Sequence, residues 1–273
     1  MGQPPQPPRT PLWLLPNLLS LDAPLVAVVW QDLLARSTAS PLRWPARLVL
    51  GLTVWAIYLA DRLLDVRRPA VGPESARHSF YRRHRRGAAL LLLAVVSADA
   101  AVTIFLLRPA VFHTGLFALA GVLSYLAVVH LGLGWRPPKE ILVALLFVTG
   151  TFLVAWTWDA AEGRPLLLPA AAFFLLCLAN LVAIETWEWR ELRVEASGRP
   201  QPLVLGLGAH LPLWTAALGA ACLLFGSSPW FGAVGAAAAL TAALTLVGRR
   251  LPLTVRRVLI DAVLLTPLFF GRQ

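Results

Sequence analysis

The feature that most constrains this chain is a succession of apolar segments, each about as long as a bilayer is thick. A helix of roughly 20 residues crosses the ~30 Å hydrocarbon core of a membrane. Segments of this kind follow one another closely along the 273 residues, with proline and glycine at most of the joints. The alternation of polar and apolar residues that marks an outer-membrane barrel is absent. The sequence therefore predicts an all-α membrane protein.

Nine such segments divide the chain, and together they predict a single membrane domain over residues 1–273. A Pro-rich leader, residues 1–13, precedes them, and the loops 66–86 and 194–206 are expected to cover a site on one face of the bundle. The predicted transmembrane spans are 14–35, 47–65, 87–107, 111–131, 140–158, 166–193, 207–225, 230–247 and 255–270.

The basic residues predict the orientation of these spans. With the N-terminus in the cytoplasm, the leader and the loops after spans 2, 4, 6 and 8 carry 18 basic residues, and the other side carries 6. Short cytoplasmic loops are enriched in arginine and lysine. Every basic residue except Lys139 is arginine, which is typical of a GC-rich bacterial gene when alanine and leucine are also abundant. We therefore expect a bacterial cytoplasmic membrane protein with its N-terminus inside and its C-terminus outside.

The net charge of +10 has the same origin, because arginines in cytoplasmic loops account for it. The leader and these loops are predicted to lie outside the hydrocarbon core. They are therefore expected to face water and lipid head groups. No nucleic-acid partner is predicted. The small residues in the spans suit helix packing in general, and they leave the oligomeric state open.

Two rows of acidic residues lie at the ends of spans 2 and 6, on the expected inner face. Asp61 and Asp65 are four residues apart and share one helical face, with Tyr58 one turn before them. The second row repeats this spacing of three and then four residues, and its members are Glu188, Glu191 and Glu195. Asn180 lies on the face of the second row, two turns deeper, whereas Glu185 is rotated about 60° away from it.

Carboxylates beside arginines suit the binding of Mg²⁺ and phosphate together. Carboxylate oxygens hold Mg²⁺ through one or two groups, and water and substrate phosphates complete its coordination. Arginine binds phosphate through paired hydrogen bonds, and a cavity within the bundle would hold an apolar tail. The predicted ligand is an amphiphile with a diphosphate head. The alternative is that both rows are only solvated helix ends at the membrane surface.

Three further aspartates, Asp22, Asp99 and Asp261, fall inside predicted spans. A carboxylate within the membrane is costly, and it usually has a partner or a function. Each could pair with an arginine, cap a local helix break beside proline, or line the cavity. We favour structural pairing.

The topology and the two rows resemble the UbiA superfamily of intramembrane prenyltransferases. That family has nine helices, a cavity open to the cytoplasmic side, and two Asp-rich motifs after helices 2 and 6. Its first motif is Asn-Asp-x-x-Asp-x-x-x-Asp, and the segment from Asp61 to Asp65 is similar to the second half of it. Ile57 and Tyr58 stand where asparagine and aspartate are usual.

The second row is similar to the second motif of the family, Asp-x-x-Asp-x-x-x-Asp followed by glycine. Here glutamate replaces each aspartate, and Gly198 follows. The joint Arg136-Pro-Pro-Lys139, between spans 4 and 5, is similar in position to a basic loop that contacts diphosphate in the family.

The resemblance implies a UbiA-like bundle of nine transmembrane helices around a central cavity, with Mg²⁺ as the cofactor. It implies a transferase that ionises a polyprenyl diphosphate and passes the prenyl group to an aromatic or lipophilic acceptor. The residues expected to carry catalysis and hold the metal are Asp61, Asp65, Glu188 and Glu191, with Glu195 as a further metal ligand. The residues expected to bind substrate are Tyr58, Arg62, Arg136, Lys139, Asn180 and Arg190.

Two other functions remain open at this point. A membrane terpene synthase would ionise the same diphosphate and capture the cation within one molecule. A non-catalytic lipid-binding or transport protein would use the same fold without metal chemistry.

Overall fold

The computed structural model describes residues 14–67, 76–130, 138–159, 166–192 and 202–270, so the leader at residues 1–13 lies outside the described residues. Within them the chain forms helices and turns and no strand. The helices are α1 (Leu15–Leu18), α2 (Asp22–Thr38), α3 (Trp44–Asp65), α4 (Ala76–Arg83), α5 (Arg85–Leu106), α6 (Pro109–His130), α7 (Lys139–Asp159), α8 (Leu167–Leu192), α9 (Pro202–Ala209), α10 (Leu211–Phe225), α11 (Pro229–Val247), α12 (Leu253–Val263) and α13 (Pro267–Phe270).

Five of the described helices, α5, α6, α7, α8 and α11, are long and apolar enough to cross a membrane. The pair α9 and α10 makes a sixth when it is counted as one span, although the pair is bent by 66°. Two other helices are shorter than a span, since α2 has 17 residues and α12 has 11. Helix α3 has 22 residues but carries charges near both ends. The prediction of an all-α protein with several membrane helices is confirmed at this level.

The outward faces of α5 and α6 are strongly apolar. Leu93 is 64% exposed, Phe105 79% and Phe117 81%. A soluble monomer seldom exposes apolar surface this extensively, because water penalises it. These helices therefore indicate a membrane protein whose outer surface contacts lipid.

An aromatic cluster fills the centre of the bundle between α2, α7, α8 and α11. It consists of Trp30, Phe152, Phe173 and Trp230, all of them almost fully buried. The ring centroids of Trp30 and Phe173 are 4.7 Å apart, and those of Phe152 and Trp230 are 5.2 Å apart. The indole N–H of Trp30 donates to the carbonyl oxygen of Leu264 at 2.8 Å. Contacts between aromatic rings therefore hold the four helices together.

Helices α10 and α11 approach each other closely through glycine. A Cβ atom on Gly219 would meet the backbone nitrogen of Ala239 and the carbonyl oxygen of Gly235, each at 3.1 Å. Without a side chain at position 219, the two backbones can pack directly, as small residues permit in membrane helices. This is the most extensive helix pair of the fold.

The predicted loop 66–86 contains the helix α4, which packs on α3. Tyr81 is only 1% exposed and lies in a cluster with Leu59 and Leu63. The guanidinium of Arg82 donates to the carbonyl oxygen of Val66 at 3.3 Å. The many arginines of this segment conceal the burial of its aromatic residues, which is why the sequence indicated a loop.

The first predicted span, 14–35, is divided into α1 and α2. The break lies at Ser20, which has a positive φ of 54°. The side-chain amide of Asn17 donates to Asp22 across it at 2.7 Å. A second break, at His210, separates α9 from α10, and the indole of Trp214 bridges it by donating to the carbonyl oxygen of Leu207 at 3.0 Å.

Candidate functional site

The first acidic row lies at the C-terminal end of α3, as the helical spacing requires. Arg62 stands between the two aspartates, and its Nη1 atom lies 3.8 Å from Asp61 Oδ2 and 3.5 Å from Asp65 Oδ2. The Arg62 side chain is 18% exposed. One guanidinium thus contacts both carboxylates of the row, which places the two carboxylates beside each other.

The second row lies at the C-terminal end of α8, and it is engaged by two arginines of α12. Glu188 pairs with Arg257, and Glu191 pairs with Arg256. The Arg256 guanidinium also lies over the ring of Trp187, 5.2 Å from the ring centroid. This contact is a cation–π interaction, which holds the guanidinium in place.

The two rows lie at the same end of the bundle, where α7 packs between α3 and α8. Among the charges around Arg62, Glu188 contributes least, after Asp61, Asp65 and Tyr58. At the start of α7, Lys139 pairs with Glu185 at 3.4 Å. The charges of Asp61 and Asp65 act on the same ammonium group. Residues that are far apart in sequence therefore meet at one end of the bundle.

We call this cluster the charged end. Among the described residues it contains six carboxylates and four cations. The charged end consists of Asp61, Arg62, Asp65, Lys139, Glu140, Glu185, Glu188, Glu191, Arg256 and Arg257.

Sequence reasoning missed four of the participants: Glu185, Arg256, Arg257 and Tyr125. Glu185 pairs with Lys139 although it is rotated away from the second row. The two arginines lie at the start of the last predicted span. In the sequence they contributed only to the predicted orientation of the chain. Tyr125 of α6 is 8% exposed and lies in the electrostatic field of Asp61 and Asp65. The nearest sequence signal was the Arg256–Arg257 pair, since paired arginines at the start of an apolar helix face the membrane surface.

Two other residues that were predicted to bind substrate lie on α8. The Asn180 amide donates to the carbonyl oxygen of Ile260 at 3.1 Å and to Asp261 Oδ1 at 3.3 Å. Asn180 therefore holds α12 against α8. Arg190 is exposed on the last turn of α8. Two further predictions, Arg136 as a substrate-binding residue and Glu195 as a metal ligand, fall outside the described residues.

The three aspartates that were predicted to lie within the membrane have hydrogen-bonding partners from other helices or across a helix break. Asp22 and Asp261 both accept from the amide of Asn17, at 2.7 and 3.1 Å. Asp99 accepts from the hydroxyl of Thr53 at 2.7 Å. These contacts are structural, which is the interpretation that we favoured from the sequence. The partners in these contacts are side-chain amides and a hydroxyl group. Asp22 opens α2 directly after the break, with Pro24 two residues later.

The two acidic rows differ in their suitability for Mg²⁺. Asp61 and Asp65 lie side by side, and Mg²⁺ needs only one or two carboxylates when phosphate and water complete its coordination. Glu188 and Glu191 are already neutralised by arginine. In the described part of the chain, no three His, Cys, Asp or Glu side chains converge as a metal site would require. Of the two rows, the first therefore fits Mg²⁺ together with a phosphate better than the second does.

A cavity of about 360 Å³ lies at the opposite end of the bundle, away from the charged end. It is bounded by the end of α2 and the starts of α8 and α11, through residues such as Thr38, Pro169 and Ser228. The aromatic cluster lies directly beside it, because Trp230 belongs to both. This cavity is therefore separate from the two acidic rows.

Comparison with known proteins gives no match to a protein-family model, to a curated protein or to a solved structure.

Proposed function

We propose that this chain is a UbiA-type intramembrane prenyltransferase, which binds a polyprenyl diphosphate at the charged end and transfers its prenyl group to an aromatic or lipophilic acceptor. One observation carries the proposal. Helices α3, α7, α8 and α12 bring six carboxylates and four cations into one cluster at the end of an apolar bundle. A charged head group on an apolar tail matches both parts of this arrangement.

The proposal includes a topology of nine spans, in which α2, α3 and α12 join the five long helices and the bent pair. Its support is the direction of the helices, since α3 and α8 end at the charged end whereas α7 and α12 begin there. Alternating spans require this pattern. The 18 to 6 distribution of basic residues supports a cytoplasmic charged end in a bacterial inner membrane, with the N-terminus inside and the C-terminus outside.

In this proposal Arg62 and Lys139 contact the oxygens of the diphosphate, while Asp61 and Asp65 hold Mg²⁺. Arginine and lysine both bind phosphate, arginine through two parallel hydrogen bonds and lysine as a point charge. Bound at the first row, Mg²⁺ would supply positive charge that stabilises the departing diphosphate.

The reaction breaks the bond between the allylic carbon and the diphosphate oxygen, and both electrons of that bond leave with the diphosphate. The acceptor then forms a bond to the allylic carbon and loses a proton to restore its aromatic ring. Arg62 and Lys139 favour the first step, because negative charge on the leaving group grows as the bond breaks. Their pairing with carboxylates keeps them in position before the substrate arrives.

Purified protein incubated with a radiolabelled prenyl diphosphate tests this function. We expect a Mg²⁺-dependent prenylated product when an aromatic quinone-precursor acid is supplied. Release of a hydrocarbon or terpene alcohol without any acceptor would identify a membrane terpene synthase instead. Absence of any product across chain lengths from geranyl to farnesylgeranyl diphosphate, with several aromatic acids, would contradict both enzymatic functions.

The arginine pairs of the second row favour a second candidate, a metal-independent binder or transporter of phosphorylated lipids. Because Glu188 and Glu191 are neutralised by Arg257 and Arg256, the second row provides anion-binding groups without a metal ion. This candidate predicts that a prenyl diphosphate raises the melting temperature equally with Mg²⁺ and with EDTA. A gain in stability that requires Mg²⁺ and disappears in Asp61→Asn would exclude it.

A further inference from the structure

Arg256 and Arg257 are unusually buried for arginines at the start of a helix. They are 5% and 9% exposed, respectively. Arginine is seldom so buried unless it is paired, because loss of hydration is costly. Each pairs with one glutamate of α8, and Arg256 also lies over Trp187.

Pairing with glutamate leaves part of each guanidinium unused. Three buried Nε–H donors have no acceptor within the described ranges, and they belong to Arg62, Arg256 and Arg257. A buried donor on a charged group loses its water without compensation, which is costly. A ligand with several anionic oxygens would satisfy these donors, and a terminal phosphate supplies them in a compact group.

The pairing with α8 places the two arginines of α12 side by side. Arg257 binds Glu188, and Arg256 binds Glu191 three residues later. Arg256 is the immediate neighbour of Arg257 on α12. An anion at this end of α8 would therefore be within reach of both guanidinium groups.

We propose that Arg256 and Arg257 form an anion-binding site for a terminal phosphate or diphosphate group, and that this site works without a metal ion at the second acidic row. The inference rests on the proposed function only in taking the ligand to be a phosphorylated amphiphile. Glu188 and Glu191 keep the guanidinium groups charged and positioned until the phosphate takes over part of their hydrogen bonding.

Binding by the full-length protein in detergent, measured by calorimetry in EDTA, tests the site. The ligands are inorganic pyrophosphate, farnesyl diphosphate and phosphatidic acid, which all carry a terminal phosphate. We expect binding without Mg²⁺. Tighter binding of farnesyl diphosphate would identify a diphosphate ligand, and tighter binding of phosphatidic acid would identify a membrane-lipid head group. Either result supports the anion site.

The decisive variant is the double substitution Arg257→Gln with Glu188→Gln, because it removes both partners and leaves no unpaired buried charge. We expect it to fold and to bind these ligands about ten to a hundredfold more weakly in EDTA, the loss typical of a charged hydrogen bond. The matched control is Arg250→Gln, an exposed arginine just before α12, which should bind like the wild type.

Two results would overturn the inference. One is wild-type affinity in the folded double variant, which would show that the arginine pairs only hold α12 against α8. The other is binding that occurs only with Mg²⁺. The test is independent of the proposed function, since binding in EDTA can be present in a protein without transferase activity. Transferase activity, in turn, can survive a failure of this site.

Discussion

Trp30 and Trp230 meet edge to face at the centre of the bundle, with ring centroids 5.0 Å apart and planes inclined by 77°. They come from α2 and α11, so this contact joins the first long helix to one of the last. Trp230 also packs edge to face on Phe152 and Phe173. Loss of its ring would therefore open a cavity shared by four helices.

We expect Trp230→Ala to lower the free energy of unfolding by about 3–5 kcal/mol, as large-to-small substitutions of buried aromatic residues do. Trp230→Phe should lose less, because a ring remains in the cluster. Denaturant titration in detergent micelles measures both. The control is Trp44→Ala, whose side chain is 58% exposed, and a loss equal to that of Trp230→Ala there would contradict the central role of the cluster.

Gly219 permits the close approach of α10 and α11, and a larger residue should force them apart. We expect Gly219→Val to destabilise the protein by about 1–3 kcal/mol, since the three nearest contacts of the new Cβ would all be with backbone atoms. Thermal unfolding followed by circular dichroism measures the loss of stability. Gly115, on α6, is the control because a Cβ there would meet nothing within 4 Å. Gly115→Ala should be neutral or slightly stabilising, and a similar loss at both sites would contradict the packing argument.

The first acidic row should control the effect of Mg²⁺. We expect Asp61→Asn and Asp65→Asn each to abolish the extra thermal stability that Mg²⁺ gives in the presence of farnesyl diphosphate. Each should also lower transferase activity by about a hundredfold or more, the scale of losing one preorganised electrostatic contact. Asp32→Asn is the control, because Asp32 pairs with Arg47 at the opposite end of the bundle. If both variants kept the full Mg²⁺ dependence, Mg²⁺ would not bind at this row.

The proposed topology predicts which surfaces are accessible on each side of the membrane. In a background without Cys177 and Cys222, a cysteine at Arg250 should react with an impermeant maleimide only after the membrane is opened. A cysteine at Ser227 should react in intact cells. Both positions are exposed and lie at the two ends of α11. The reverse labelling pattern would invert the orientation, and equal labelling at both positions in intact cells would contradict a spanning α11.

The long helices were predictable because apolar length alone determines them. The spans 87–107 and 140–158 correspond to α5 (Arg85–Leu106) and α7 (Lys139–Asp159) within two residues. The first span shows the limit. Hydropathy is continuous across Ser20, whereas the backbone turns there through a positive φ and begins α2 at Asp22. A break stabilised by one side-chain contact leaves little trace in average hydropathy.

The two acidic rows were also predictable, since their spacing is local to one helix each. Their partners were not. Arg257 lies 69 positions after Glu188, and only the packing of α12 on α8 brings the two together. The hydrogen bond between Asn180 and Asp261 is also a contact between helices, and it was not predictable for the same reason. Contacts between helices depend on rotation and tilt, which spacing within one helix does not specify.

The pairing of Lys139 with Glu185 places the amine of a single lysine at the charged end. Lys139 is the only lysine of the chain, and its side chain remains 49% exposed while it is paired. An amine-selective reagent therefore has one side-chain target in the whole sequence, apart from the terminal amine. The rate at which it reacts with the purified protein therefore reports how accessible the Lys139 amine is at the charged end, without an engineered probe.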